Sequence, residues 1–183
     1  MSINTSLHGI ELEDIASQCL SEHELNQRGV DANFFVLSSE SGQNELRAYC
    51  NELGIAENSH IVGPVPHDYV VPFYDLIDVF VVSRPDTRVT RLVTPLKPFE
   101  AMRSGRAVVM ADLPALAEIV VDGKTGRLYA PGDVELLSNT VQELFEGKYL
   151  TTEIGNEGAR WIVTERTWDK VVSKIPHVYN RLV

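Results

Sequence analysis

Three residues in one short stretch have the types and spacing of an anion and sugar site. They are Thr94, Lys97 and Glu100, within Val93-Thr94-Pro95-Leu96-Lys97-Pro98-Phe99-Glu100-Ala101-Met102-Arg103-Ser104-Gly105. Thr94 is of a type that caps a helix, and Pro95 suits the first helical position. Pro98 is also tolerated in a first turn, which would start the helix three residues later. Either start aims free backbone N–H groups and the positive end of the helix dipole at the crevice before it, an arrangement that attracts phosphate. Lys97 adds a cation in the first turn. Glu100, about one turn on, can accept two hydrogen bonds from a vicinal diol such as a ribose. A phosphate acceptor and a diol acceptor one turn apart describe a site for a nucleoside diphosphate. The same residues have a plainer reading, because a glutamate in a first turn stabilises the dipole with or without a ligand.

The elements that must position these residues alternate between helix and strand. Apolar residues at Ile10, Leu12, Ile15, Cys19, Leu20 and Leu25 predict a helix over 10–28, closed by Gly29. Residues 32–37, 59–62, 78–82, 107–111 and 127–130 are short apolar or β-branched runs that read as strands. Helices are predicted between them over 43–53, 69–76, 95–103 and 113–120, the second weakened by Pro72. Asp133 is an N-cap for a helix over 134–145. Residues 152–183 read as helical, with Trp161, Ile162, Val163, Trp168, Val171 and Val172 expected to pack a helix pair onto the sheet. This order predicts an α/β fold, a doubly wound parallel sheet with helices on both faces. Ligands of such sheets bind outside the carboxyl ends of the strands. The loops after Leu37, Val62, Val82 and Ala111 are therefore where a site is sought, and Thr94–Glu100 follows the third of them.

Composition bounds the rest. A chain of 183 residues is about one domain, so 1–183 is read as a single domain with a polar tail at 1–8 and C-terminal helices over 152–183. No apolar run approaches the ~20 residues that span a bilayer, and the N-terminus lacks the basic and apolar regions of a secretory signal. A net charge of −10 makes general binding to nucleic acid or to anionic membrane a poor expectation. Cys19 and Cys50 are read as two buried thiols in a reducing compartment. The five histidines, His8, His23, His60, His67 and His177, show no metal-ligand spacing. No Gly-x-Ser-x-Gly elbow is present, and no Gly-x-Gly-x-x-Gly follows a strand, which sets aside a serine hydrolase and a dinucleotide oxidoreductase.

Landmarks along roughly residues 9–170 resemble the C-terminal domain of the retaining family 4 (group 1) glycosyltransferases, enzymes of the GT-B fold that use nucleotide sugars. Ile61-Val62-Gly63-Pro64-Val65-Pro66 resembles the family's strand–glycine–turn. Phe73-Tyr74-Asp75-Leu76-Ile77-Asp78-Val79-Phe80-Val81 resembles its helix-to-strand junction. Pro98-Phe99-Glu100-Ala101-Met102 with Gly105 resembles its Pro-Leu-Glu-Ala-Met core. Glu118-Ile119-Val120, Asp122-Gly123, Gly126 and Pro131-Gly132-Asp133 resemble its closing signature. The resemblance implies a Rossmann-like domain in which Glu100 binds the donor ribose. It implies that Thr94, Leu96 and Lys97 meet the diphosphate, and that Gly63 to Val65 lie near the nucleobase. It implies a UDP- or GDP-type sugar as donor and no protein-bound metal or other cofactor. Glu118 is expected to make a structural hydrogen bond to neighbouring backbone.

Three departures qualify that pattern. The family's first glutamate lies eight residues before Glu100, where this chain has Leu92 with Arg91 beside it. Arg91 and Arg88 are read either as contacts for a donor phosphate or acidic sugar, or as solvated loop residues. The turn after the second strand, Ser38-Ser39-Glu40-Ser41-Gly42, keeps one glycine. The family's domain opens with a strand, a glycine-rich turn and a basic pair, whereas residues 1–7 here are polar and His8-Gly9-Ile10 aligns after that turn. The first strand is therefore expected to be missing, together with the N-terminal acceptor domain, and a homodimer would heal the open edge. The expected function is the donor half of a retaining hexosyltransferase in polysaccharide or glycoconjugate synthesis. Its place would be the cytoplasm, reaching the inner membrane through the absent half. The alternative is a non-catalytic nucleotide-binding or interaction module derived from such an enzyme.

Overall fold

A computed structural model of the chain describes residues 2–7, 12–173 and 175–179. Six parallel strands form one sheet: β1 (Ser2–Leu7), β2 (Asn33–Ser38), β3 (Ser59–Val62), β4 (Val79–Val82), β5 (Ala107–Ala111) and β6 (Arg127–Tyr129). Their order across the sheet is β3-β2-β1-β4-β5-β6. The helices are α1 (Leu12–Gln27), α2 (Gln43–Glu52), α3 (Val71–Tyr74), α4 (Lys97–Arg103), α5 (Pro114–Ala117), α6 (Val134–Glu146), α7 (Lys148–Glu165), α8 (Trp168–Val172) and α9 (Ile175–Tyr179). Helix α1 packs against α6 and touches α2, and α4 packs against α7. Val79, Phe80, Val81 and all of Ala107–Ala111 are buried, as strands covered on both faces must be.

The largest correction to the sequence reading concerns residues 2–7. They are not a tail. They form the central strand β1, paired with β2 from Ser2↔Asn33 to Leu7↔Ser38 and with β4 at Ile3↔Val79 and Asn4↔Phe80. A mid-sheet strand usually reads as a continuous apolar run, and Ser-Ile-Asn-Thr-Ser-Leu does not. Backbone pairing on both sides supplies what composition does not show, because strand preference depends on context more than on residue type. No first strand is missing, and the interior edge that a second copy would heal is closed by the chain itself. The ground for expecting a homodimer goes with it. His8, Gly9 and Ile10, which mark the expected turn, lie outside the described residues.

Other boundaries shift for local reasons. α3 and α5 are single turns with a proline in the first two positions, shorter than the helices expected over 69–76 and 113–120. At the C-terminus two of the six residues expected to pack do so. Ile162 is buried and Trp161 packs against the core, but Trp168 is 82% exposed, and Val163, Val171 and Val172 face solvent. Arg166 stacks its guanidinium over the Trp161 ring, 5.0 Å from the centroid. Asp133 caps α6 as expected, accepting from the Leu136 N–H at 2.8 Å. Cys19 and Cys50 are both free and buried. No described helix is long and apolar enough to cross a membrane.

Candidate functional site

β4 ends at Val82 and α4 begins at Lys97, so the loop between them lies on the carboxyl side of the sheet. The loop has its own turn structure. The Arg91 N–H donates to the Thr87 carbonyl at 3.1 Å, and the Thr90 hydroxyl donates to the Pro85 carbonyl at 2.6 Å. Arg84 ties the two ends of the loop together through Nη1 and the Val93 carbonyl, 3.3 Å apart. Beneath it, buried Gln18 of α1 donates to the Ser83 hydroxyl at 2.7 Å, which pins α1 to the end of β4.

Glu100 stands half-buried one turn into α4. Its Oε2 accepts a hydrogen bond from the Tyr74 hydroxyl at 2.8 Å. Tyr74 closes α3 and is buried against Phe80, with ring centroids 5.9 Å apart. Burial, and the carboxylate it donates to, push the Tyr74 hydroxyl above its ordinary range, so it stays a donor. Glu100 Oε1 accepts nothing from the described residues. It is therefore open to a hydroxyl from outside, while Oε2 is held in place. Lys97 is half-buried at the start of the same helix. Burial brings its ammonium down to about 8, opposed by the Glu100 carboxylate and reinforced by the nearby Arg84 guanidinium.

Thr94 does not cap α4. Leu96 takes the cap position with no side-chain hydrogen bond, and Pro98 falls in the first turn, so the later of the two expected starts is the real one. Thr94 instead donates to Glu118 Oε1 at 2.8 Å, joining the β4–α4 loop to the end of α5. The Glu118 carboxylate thus binds a side chain, where a backbone partner was the expectation. Its backbone carbonyl accepts from Arg166 at 2.6 Å.

The remaining site candidates divide into two places. Leu96 is 74% exposed beside the α4 start, and Leu92 is 73% exposed on the loop. Arg91 grips Asp86 with two hydrogen bonds, from Nε to Oδ1 and from Nη2 to Oδ2, the second at 2.7 Å. That pairing holds the Asp86 carboxyl low and the Arg91 guanidinium high, so the Arg91 charge already has a partner. Gly63 and Val65 follow β3, three strand spacings from β4, roughly 14 Å at ~4.8 Å per spacing. Gln43, at the start of α2, donates to the Ser39 carbonyl at 3.1 Å and lies near Gly63. Gly42, the one glycine kept in that turn, has φ 81°, a conformation that glycine adopts without strain. The structure therefore gathers Thr94, Leu96, Lys97 and Glu100 around one helix start and leaves Gly63 and Val65 as a second patch on the same edge. Two residues of the site carry no signal in the spacing. Tyr74 meets Glu100 from 26 positions away, and Arg84 sits in a loop with two other arginines. Among the described residues no group of three or more His, Cys, Asp or Glu could hold a metal ion.

Comparison with known proteins adds independent observations. Residues 15–147 match the family described as glycosyl transferases group 1. Over 88 residues the chain is 34% identical to the lipopolysaccharide core biosynthesis mannosyltransferase LpcC of Rhizobium leguminosarum bv. viciae, a match covering 48% of this chain and 25% of that one. The fold superposes on the C-terminal domain of a group 1 glycosyl transferase (LpcC) from Francisella tularensis with a TM-score of 0.77 at 18% identity, covering 91% of this chain and 86% of that domain. It superposes on Anabaena HepE in complex with UDP with a TM-score of 0.71 at 21% identity, covering 99% of this chain and 48% of that one. The chain spans about half the length of HepE, and its match to the mannosyltransferase spans a quarter.

Proposed function

Because the chain belongs to the group 1 glycosyl transferases, we propose that it binds the nucleotide-diphosphate sugar donor for a retaining hexosyl transfer. The carrying observation is Glu100, fixed by Tyr74 through one oxygen, open at the other, and one turn from Lys97. In this reading Glu100 accepts from the donor ribose. Lys97 and the first N–H groups of α4 face the diphosphate. An acceptor hydroxyl attacks the anomeric carbon, the bond from that carbon to the diphosphate oxygen breaks, and the diphosphate leaves with both bonding electrons. The contribution of this chain is to stabilise the charge that develops on the leaving group. The acceptor site and the group that takes the hydroxyl proton come from the other half of such an enzyme, in the same chain or a separate one. The sugar nucleotide is the substrate, and the reading calls for no resident cofactor. A mannosyltransferase relative and a UDP-bound structural neighbour support a hexose donor on a UDP- or GDP-type carrier.

One observation favours a second reading. Leu92, where the family's first glutamate falls, is exposed and cannot accept a sugar hydroxyl. A nucleotide-binding module without catalysis of its own would fit that replacement.

The test is calorimetric titration of the chain with UDP and with GDP, repeated on Glu100→Ala. Saturable binding of one nucleotide is expected, weakened by about 1–3 kcal/mol in the variant. Binding of neither at millimolar concentration would overturn the reading. Hydrolysis or transfer from the matching sugar nucleotide, with the other half of the enzyme supplied, separates catalysis from the second reading.

A further inference from the structure

We propose that Glu118 is a positioning residue for the donor site: its carboxylate holds Thr94 and thereby sets how the chain enters α4. The proposal rests on the nucleotide reading above, and it adds a residue that acts through Thr94 rather than on the donor. The entry to α4 needs such a tie. The cap position holds Leu96, whose side chain cannot accept a hydrogen bond from the helix. Pro95 and Pro98 have no N–H to give, and each fixes only its own φ. Arg84 holds the Val93 carbonyl on the loop side, and the Phe99 N–H returns to the Leu96 carbonyl at 3.0 Å on the helix side. Between those two points the Thr94 hydroxyl donates to Glu118 Oε1 at 2.8 Å, which ties the stretch to the end of α5, 24 residues on.

Glu118 can serve as an anchor because its own backbone is held on two sides. It is the C-cap of α5, and Leu116, Ile119 and Val120 around it are buried. Its N–H donates to the Pro114 carbonyl at 3.3 Å, and the Ile119 N–H donates to the Leu116 carbonyl at 2.9 Å. From the other side Arg166 Nη2 donates to the Glu118 backbone carbonyl at 2.6 Å. Arg166 is fixed in turn at the end of α7. Its N–H donates to the Ile162 carbonyl at 3.1 Å, and its guanidinium lies over the ring of Trp161, which packs on the core. A strut thus runs from α7 through α5 to the loop as Arg166–Glu118–Thr94. Its two ends meet different atoms of Glu118, the backbone carbonyl and the carboxylate. A side-chain substitution at Glu118 therefore cuts the link to the loop and spares the link to α7. A hydroxyl donating to a carboxylate makes a charge-assisted bond, stronger than a neutral one. Glu118 is exposed, and solvent screening keeps the effect moderate.

The experiment is calorimetric titration of the whole chain with UDP and with GDP. It compares wild type, Glu118→Ala, Glu118→Gln, Thr94→Val and the double variant Glu118→Ala with Thr94→Val, each first checked by thermal unfolding. Glu118→Ala is expected to lose about threefold to tenfold in affinity for the nucleotide that the wild type binds. Glu118→Gln keeps an acceptor oxygen and is expected to recover most of that loss. In the Thr94→Val background Glu118→Ala should lose nothing further, because both act through one bond. A role in stability alone lowers the unfolding temperature and leaves affinity unchanged, which overturns the proposal. So does a Glu118→Gln variant as weak as Glu118→Ala, or a Glu118→Ala loss that persists undiminished beside Thr94→Val. If Glu118→Ala does not fold, Thr94→Ser and Thr94→Val decide. Serine keeps the hydroxyl and should bind more tightly than valine, and equal affinities overturn the proposal. Unchanged affinity in Glu118→Ala, with Glu100→Ala still weakened, removes Glu118 and leaves the nucleotide reading standing. No nucleotide bound by the wild type overturns both.

Discussion

The Tyr74 hydroxyl donates to Glu100 Oε2 at 2.8 Å and so joins the turn that precedes β4 to the helix that follows it. Tyr74 is 2% exposed, so the bond is made from inside the protein. Its effect is to fix the carboxylate before a ligand arrives. Tyr74→Phe is therefore expected to weaken nucleotide binding by about 0.5–1.5 kcal/mol, less than Glu100→Ala. In a double-mutant cycle the Tyr74→Phe effect should vanish once Glu100 is alanine. Independent, additive losses would show that Tyr74 acts on binding by another route.

Lys97 sets the expected pH dependence of binding. Its ammonium is held at about 8, mainly by burial. A diphosphate favours the charged form, so the complex retains a proton that the free protein loses above pH 8. Affinity should therefore fall as pH rises from 7 to 10. The terminal phosphate of the nucleotide titrates near ~6 and does not interfere in that window. Lys97→Gln should bind more weakly at pH 7 and show a flat profile above it, measured by titration calorimetry. An unchanged slope in the variant would remove Lys97 from the site.

Glu22 on α1 is 0% exposed, and among the described residues neither carboxylate oxygen has a hydrogen-bond partner. Burial raises it from 4.5 to about 7. Between those values the native state holds a proton that the unfolded chain has lost. Its contribution to stability is complete below pH 4.5 and is lost as pH rises through 7. Glu22→Gln should remove this slope and stabilise the protein at pH 8 by about 1–3 kcal/mol. Urea unfolding of both proteins at pH 5 and pH 8 measures it, and equal pH slopes would refute it.

Gly155 of α7 lies directly on the backbone of the α4–β5 connection. A Cβ there would sit 2.2 Å from the Gly105 carbonyl oxygen and 3.0 Å from its carbon. Backbone cannot give way as the end of a side chain can. Gly155→Ala should cost about 1–3 kcal/mol or more in urea unfolding. A neutral result would mean that α7 can lift off the sheet without loss.

How far the sequence speaks can be judged from particular elements. Ser59–Val62 and Ala107–Ala111 form strands with the expected bounds, because short apolar runs between turn residues announce themselves locally. The α4 start was ambiguous between Pro95 and Pro98, since two prolines and a threonine give competing local signals. Packing resolves it in favour of Lys97, with Thr94 drawn away to Glu118. Trp168 and Ser2–Leu7 show the opposite failures. A large apolar residue on a helix does not guarantee burial, and a polar hexapeptide is no bar to a central strand when both neighbours offer a ladder.

The amino-acid order alone determined the parallel α/β architecture and the family likeness, and it put Lys97 and Glu100 one turn apart at the start of a helix past β4. Those features follow from periodicity, proline and glycine, whose effects reach only a few residues. The tertiary structure decided that Tyr74 holds Glu100, that Arg91 is taken by Asp86, and that residues 2–7 complete the sheet. Each of these depends on which strand lies beside which and where each loop returns. Strand order and crossover geometry arise from the summed packing of the whole chain, and no local pattern encodes them.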